Sequence, residues 1–236
     1  MSVKIAVTAD GSHTLVNSEL DESYHVFKGA LTESVYVYID AGLKALLAHI
    51  PQGSHIRVLE VGFGTGLNVL LTAQMAKAAG IKVSLTTLEP FPIGNEIVEQ
   101  LNYAECLARL ENFGCQDELE ACLKALHQAP WNATTDVAGL QLTKIRSKLE
   151  LQNFASGSFD LVYFDAFAPK KQPELWADDN FRRLYQALAI QGLLVSYCAN
   201  GQFKRDLKAA GFAVESYPGP MGRRHMTRAW KGLSFK

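Results

Sequence analysis

Two stretches of the chain set residue types at spacings suited to chemistry. "VLEVGFGTGLN" (58–68) places an acid, Glu60, just ahead of glycines at Gly62, Gly64 and Gly66. Glycines let a backbone turn sharply and approach a ligand, and the start of a helix behind them supplies free N–H groups. This is the pattern of a cofactor loop. A dinucleotide loop would read G-x-G-x-x-G, but the completing position is Leu67 and the third glycine comes one residue early, which disfavours nicotinamide. The second stretch, "VYFDAFAPKKQPELW" (162–176), is an apolar run that ends on Asp165 and breaks into a loop bounded by Pro169 and Pro173 and carrying Lys170 and Lys171. A carboxylate there can accept N–H groups of an amine nucleophile or take its proton. Phe167 can stack on a planar base, and the prolines stiffen the loop that holds it.

These residues need a frame. Strands are expected at 57–61, 82–88, 140–146, 159–164 and 193–199, with helices at 67–79, 178–190 and 202–210. Continuous apolar strands separated by helices indicate a mostly parallel sheet covered on both faces. "FAVESYP" (212–218) and "RHMTRAWK" (224–231) have no helix between them and should pair antiparallel at the sheet edge. In open α/β sheets ligands bind outside the carboxyl ends of the strands, and Gly62, Glu89 (closing "VSLTTLE") and Asp165 all fall there. Bland alternatives exist: Glu60 as a capped loop carboxylate, Glu89 as a solvated charge. Their shared position at strand ends favours function.

Ahead of the core, "VKIAVTADGSHTLVN" alternates about Asp10-Gly11 and reads as a hairpin, and 33–48 has helical spacing closed by Pro51 and Gly53. Residues 1–50 are therefore expected to pack on a core of 51–236. About fifty residues separate Glu89 from the strand at 140, more than a crossover needs. A helical insertion is expected at about 94–138, with "IVEQLNYAECLARL" and "QDELEACLKALHQ" as amphipathic helices and "PWNATTD" as a loop.

With 236 residues, 48% hydrophobic and 20% charged, the chain can bury a full core, and a net charge of −1 gives no general pull toward nucleic acid. A nucleic-acid partner would need a local basic patch. The four cysteines form no C-x-x-C pair and no histidine sits at a ligand offset from them, so no metal site is expected. His13 and His25 read as structural. No leader pattern or apolar span suggests a membrane, and a cytoplasmic protein is expected.

The acid ahead of G-x-G-x-G resembles the first motif of class I S-adenosylmethionine-dependent methyltransferases, Rossmann-like α/β proteins with a seven-stranded sheet. The resemblance implies that Glu60 helps hold the loop and the methionine amino group, and that Glu89 takes the ribose hydroxyls. A closer resemblance runs through "DGSHTL" (10–15), "GALTES" (29–34), "EVGFGTGLN", "FDAFAPKKQPELW", "AAGFAVE" and "GPMGRRHM". It is to the methyltransferase half of the bifunctional bacterial enzyme that completes 5-methylaminomethyl-2-thiouridine at the tRNA wobble position, and to its stand-alone relatives. It implies S-adenosylmethionine at Glu60, Gly62, Gly64, Gly66, Glu89 and Asp165, with Asp165 beside the aminomethyl group. Its partners would be the tRNA anticodon region and a separate oxidase. No second glycine loop for a flavin occurs, so methyl transfer alone is expected. Phe167, Pro169, Lys170, Lys171, Arg223 and Arg224 would meet the substrate, with Arg182, Arg183, Arg228 and Lys231 extending a phosphate footprint. In one departure, "KIRSKLELQ" offers Ser147 and Lys148 where many methyltransferases carry the acid that binds adenine. A methyltransferase of a small amine would share the cofactor loop without the basic rim, and a non-catalytic module would not need Asp165.

Overall fold

The structure, a computed structural model, describes residues 2–110, 113–222 and 224–233. Strands β1 (Val3–Val7), β2 (His13–Asn17) and β3 (Glu22–Ser23) form a three-stranded sheet, with Val7 opposite His13 across the Asp10-Gly11 turn. A continuous helical stretch follows: α1 (Ala30–Ser34), a π-helical segment (Val35–Lys44) and α2 (Ala45–Leu47). "DGSHTL" and "GALTES" meet here. The Thr8, Ser12 and Asp10 side chains accept the backbone N–H groups of Ala30, Leu31 and Thr32, closing the helix start that a lone Gly29 N-cap leaves open. Four hydrogen bonds offset the burial of Asp10 and hold its carboxyl down at about 2.

The main sheet has the order β10-β11-β9-β8-β4-β5-β7-β6. Its central strands β4 (Ile56–Val61), β5 (Val83–Leu88), β7 (Leu140–Ile145), β8 (Phe159–Phe164) and β9 (Leu188–Ser196) run parallel. Helices α3 (Leu67–Ala79) and α7 (Asp178–Ala187) make the crossovers after β4 and β8, and α8 (Gly201–Ala209) leads to β10 (Ala213–Tyr217). Strand β11 (Met226–Trp230) pairs antiparallel with both β9 and β10, as the missing helix between them requires. Buried side chains of β4 alternate faces: Ile56 and Val58 enter one core cluster, Leu59 and Val61 the other. Two helix layers therefore cover a twisted sheet, and the parallel strands' carboxyl ends open together at one edge.

The insertion departs from expectation twice. "IVEQLNYAECLARL" is not one helix but two short ones, α4 (Asn95–Val98) and α5 (Tyr103–Ala108). Asn102 at the break accepts the His13 N–H and donates to the Gly11 carbonyl, so a contact with the N-terminal hairpin overrides helical continuity. "PWNATTD" is not a loop: after α6 (Gln116–Gln128), residues Ala133–Val137 form β6, antiparallel to β7 and an eighth strand beyond the seven expected. Ala138 (φ 54) and Gly139 (φ 79) make the two-residue turn that reverses the chain, and the Thr134 and Thr143 hydroxyls bond across it. The helix expected at 178–190 stops at Ala187, because Leu188 already pairs with Phe159 in the sheet.

Candidate active site

The carboxyl ends of β4, β5 and β8 surround a cavity of about 340 Å³. On its wall lie Gly62, Phe63 and Thr65 from the glycine loop, Glu89 after β5, and Asp165, Ala166 and Phe167 after β8. The N-terminal segment closes the opposite side with Tyr24, His25, Phe27 and Glu33.

Gly62, at φ 97, runs so close to β8 that an added Cβ would stand 2.3 Å from the Asp165 carbonyl oxygen. The glycine thus brings the loop and the end of β8 together. Gly64 and Gly66 are not on the cavity wall. Gly64 gives its N–H to Glu89 Oε2 (3.1 Å), and Gly66, at φ 75, begins α3 beneath the rings of Phe63 and His127. Glu89 also accepts the Phe91 N–H through Oε1 (2.9 Å), so two backbone donors orient it while each oxygen keeps a lone pair for a ligand. Burial raises its proton affinity and these two bonds oppose that rise. Glu60, the acid of the motif, is fully buried behind the loop rather than on the wall, and accepts the Thr87 hydroxyl at 2.5 Å.

Asp165 accepts Asn68 Nδ2 at 2.8 Å through Oδ2. The Tyr38 hydroxyl, from the π-helical segment, lies against the same carboxyl without meeting hydrogen-bond geometry, so Asn68 is the donor that orients it. Burial raises Asp165 to about 7, the nearby charge of Glu33 adds to the rise, and Tyr38 and Asn68 hold it down. A carboxyl poised there exchanges protons near neutrality. His25 is pushed down to about 4 by burial and bonds Thr14, so it stays neutral and structural.

The Asp165 loop is clamped from below. Tyr197 donates to the Ala166 carbonyl (2.8 Å) and Trp176 to the Phe167 carbonyl (2.9 Å), while Trp176 packs on Phe164 and Phe203. Phe167 stands edge-on to Tyr24, ring centroids 4.9 Å apart. Sequence reasoning passed over Tyr24, Asn68 and Tyr197, which carry no local motif. Glu150 was missed as well. Ser147 and Lys148 do line the cavity, but so does Glu150, whose Oε2 is buried and unpartnered. An acid two residues past the usual place, in the 3₁₀ turn Leu149–Leu151, was the signal available.

The basic set divides. Pro169, Lys170 and Lys171 lie on the loop beside the cavity, with Lys170 exposed. Arg223 falls outside the described residues; Arg224 is exposed, and Lys28, on the cavity wall, donates to the Met221 carbonyl of the same loop (3.3 Å). Arg182 faces Asp179 on the surface of α7 (3.8 Å), and Arg183 donates to Gln152 and Asn153. Arg228 is not free for phosphate: it pairs with Glu215 at 2.6 Å and stacks on Tyr217. Lys231 lies at the wrong end of the sheet, because β11 runs against β9 and carries it to the amino ends of the parallel strands, where it caps the Leu188 carbonyl (2.7 Å). No group of three or more His, Cys, Asp or Glu placed for a metal occurs among the described residues, and none of their helices is long and apolar enough to cross a membrane.

Comparison with known proteins agrees with this geometry. The chain is 29% identical over 204 residues to the tRNA 5-methylaminomethyl-2-thiouridine biosynthesis bifunctional protein MnmC of Pseudomonas fluorescens (strain Pf0-1), covering 84% of this chain and 30% of that protein. To the protein of the same name in Cupriavidus necator it is 30% identical over 214 residues, 89% of this chain and 32% of the relative. The chain thus spans about a third of the length of the curated relatives it matches. The crystal structure of MNMC2 from Aquifex aeolicus superposes with a TM-score of 0.76 at 25% identity, over 99% of this chain and 71% of that one. The family model described as S-adenosyl-L-methionine-dependent methyltransferase also matches residues 115–232, and the chain belongs to that family.

Proposed function

We propose that this methyltransferase acts on the amine of 5-aminomethyl-(2-thio)uridine at the wobble position of tRNA, giving the 5-methylaminomethyl product. The carrying observation is Asp165, a carboxyl with proton affinity near neutrality, set on the cavity wall beside the glycine loop and followed by Phe167. The relatives are named for tRNA 5-methylaminomethyl-2-thiouridine biosynthesis, which supports the same reading.

The cavity suits the cofactor's parts. Glu89, oriented by two backbone donors, accepts the ribose hydroxyls; the buried, unpartnered Glu150 Oε2 supplies an acceptor for the adenine amino group; and Gly62 leaves room for the backbone to approach. When bound, S-adenosylmethionine would supply an already activated methyl group, its S–CH3 bond breaking so that the sulfur leaves as a neutral thioether. The protein's work is then to align the amine and free its lone pair. An alkylamine in water is mostly protonated at neutral pH, and a partly desolvated cavity favours the neutral form. Asp165, held by Asn68, accepts an amine N–H and takes the proton released as the new N–C bond forms. Phe167 and Tyr24 flank the base, and Lys170, Lys171 and Arg224 meet the RNA backbone outside the cavity. A separate oxidase would supply the aminomethyl substrate, in the cytoplasm.

The test is methyl transfer from labelled cofactor to tRNA carrying 5-aminomethyluridine, read by mass spectrometry of the wobble nucleoside. Product at that nucleoside supports the reading. Transfer to small amines with untouched tRNA would replace it with the small-amine reading.

A further inference from the structure

Glu60, the acid that opens the glycine motif, has no contact with the cavity and no task in the reaction above. It is fully buried, with Oε2 accepting the Thr87 hydroxyl and Oε1 without a partner. Against it lies the side chain of Asn68, 4% exposed, whose Nδ2 donates to Asp165 and whose Oδ1 is also buried and unpartnered. Two buried acceptors on neighbouring side chains are thus left without a donor. Each such atom has lost its water without gaining a partner, which is destabilising. An ionised Glu60 accepts only and relieves neither, whereas a neutral carboxyl carries one O–H that serves both.

We propose that Glu60 is held as the neutral acid and donates from Oε1 to Asn68 Oδ1, locking the Asn68 amide with its NH2 toward Asp165. Glu60 and Asn68 are then positioning residues for the base. The surroundings favour this state: burial raises Glu60 well above the ordinary carboxylate range, Asp165 and Glu89 push it further, and the Thr87 hydroxyl only partly opposes them. The reverse arrangement turns the amide over, leaving Glu60 ionised and Asp165 holding the proton. Both arrangements contain the same number of protons, so the Glu60 proton decides whether Asp165 is available to accept one from the substrate. The implied contact between Glu60 and the cofactor's methionine amino group is replaced by an indirect role. The inference rests on the proposed role of Asp165.

Glu60→Gln and Glu60→Leu test it. The Gln amide can donate to Asn68 and accept from Thr87, so Glu60→Gln should keep methyl transfer within about threefold of wild type, with its acidic limb in place. Leu cannot donate, and a base that loses its orientation costs about ten- to a hundredfold in kcat/KM. In Glu60→Leu the acidic limb should also move to higher pH, because Asp165 loses the amide that favours its charge, while cofactor affinity by calorimetry stays within a few-fold. Infrared spectroscopy reads the proton directly. In the Asp165→Asn background, which removes the carboxyl of the base, a protonated-carboxyl stretch should persist at neutral pH and vanish when Glu60→Gln is added. Absence of that band, or loss of cofactor affinity in Glu60→Gln, overturns the proposal. Should Glu60→Leu fail to fold, Asn68→Ala must produce the same upward shift of the limb. If the wild type does not methylate the tRNA, the functional reading fails on its own, and the infrared and calorimetric arms still decide the state of Glu60.

Discussion

Replacing Asp165 by Asn keeps the shape of the side chain and removes its charge, and the structure sets two separate consequences. Burial lifts Asp165 from 3.8 to about 7. In the wild type the ionised fraction therefore falls to about a tenth one pH unit below that value, and methyl transfer should fall with it. Asp165→Asn should lose about 10²-fold or more in turnover, the scale of a lost acid–base group, and should lose this acidic limb. The substrate amine's own deprotonation then remains, so raising the pH partly rescues the mutant. The second consequence concerns stability. A raised carboxyl pKa means that the folded state binds more protons than the unfolded state between about 4 and about 7. Wild-type stability attributable to this group is thus greatest at acid pH and is lost as pH rises through that window. Three units at 1.36 kcal/mol each give an upper limit of about 4 kcal/mol, which the partial exposure of Asp165 reduces to about 1–2. The mutant does not titrate and escapes that loss. Above neutrality Asp165→Asn should melt several degrees higher than wild type, and near pH 4 the two should converge. Calorimetric melts across pH, paired with rates on 5-aminomethyluridine tRNA, check both. Wild-type turnover together with parallel melting curves would refute the reasoning and reduce Asp165 to a loop anchor.

Gly62→Ala puts a Cβ 2.3 Å from the Asp165 carbonyl oxygen at φ 97, and should cost at least about 2 kcal/mol and abolish cofactor binding by calorimetry. Gly139→Ala, where no atom lies within 4 Å, should cost about 1 kcal/mol for its positive φ and leave binding intact. Lys144 is almost wholly buried, and its Nζ donates to the carbonyls of Leu126, His127 and Ala129, holding the end of α6 so that His127 reaches the Thr65 carbonyl of the glycine loop (3.0 Å). Lys144→Met should destabilise by about 3 kcal/mol in urea and weaken cofactor binding. Burial lowers the lysine to about 8, so its charge costs stability below that pH. Unfolding free energy should rise between about 8 and 10.5 in the wild type and not in the mutant.

The elements that hold the site were legible because their causes are local. Three glycines with positive φ, an acid at a strand end and an aspartate closing an apolar run are patterns of neighbouring residues, and the helix-strand alternation that aligns them is periodic. Even the antiparallel β10–β11 pair follows from a missing helix. The π-helical turn of Val35–Lys44 was not legible, although it brings Tyr38 to Asp165 and packs Gly42 against Val195 and Tyr163. Its spacing in sequence is that of any helix, and only the packing partner selects the wider turn.

The sequence by itself thus determined the cofactor class, the edge of the sheet where the site lies and the carboxylate that faces it. Tertiary structure alone decided which of the implied residues reach the cavity. Asn68 meets Asp165 across 97 positions and Arg228 meets Glu215 across 13, while Glu60 is fully buried behind the loop. Side-chain type and spacing encode what a residue can do, whereas burial and long-range partners set its charge and direction. A lysine or glutamate reads the same in sequence whether it caps a carbonyl, neutralises a neighbour or waits for a ligand.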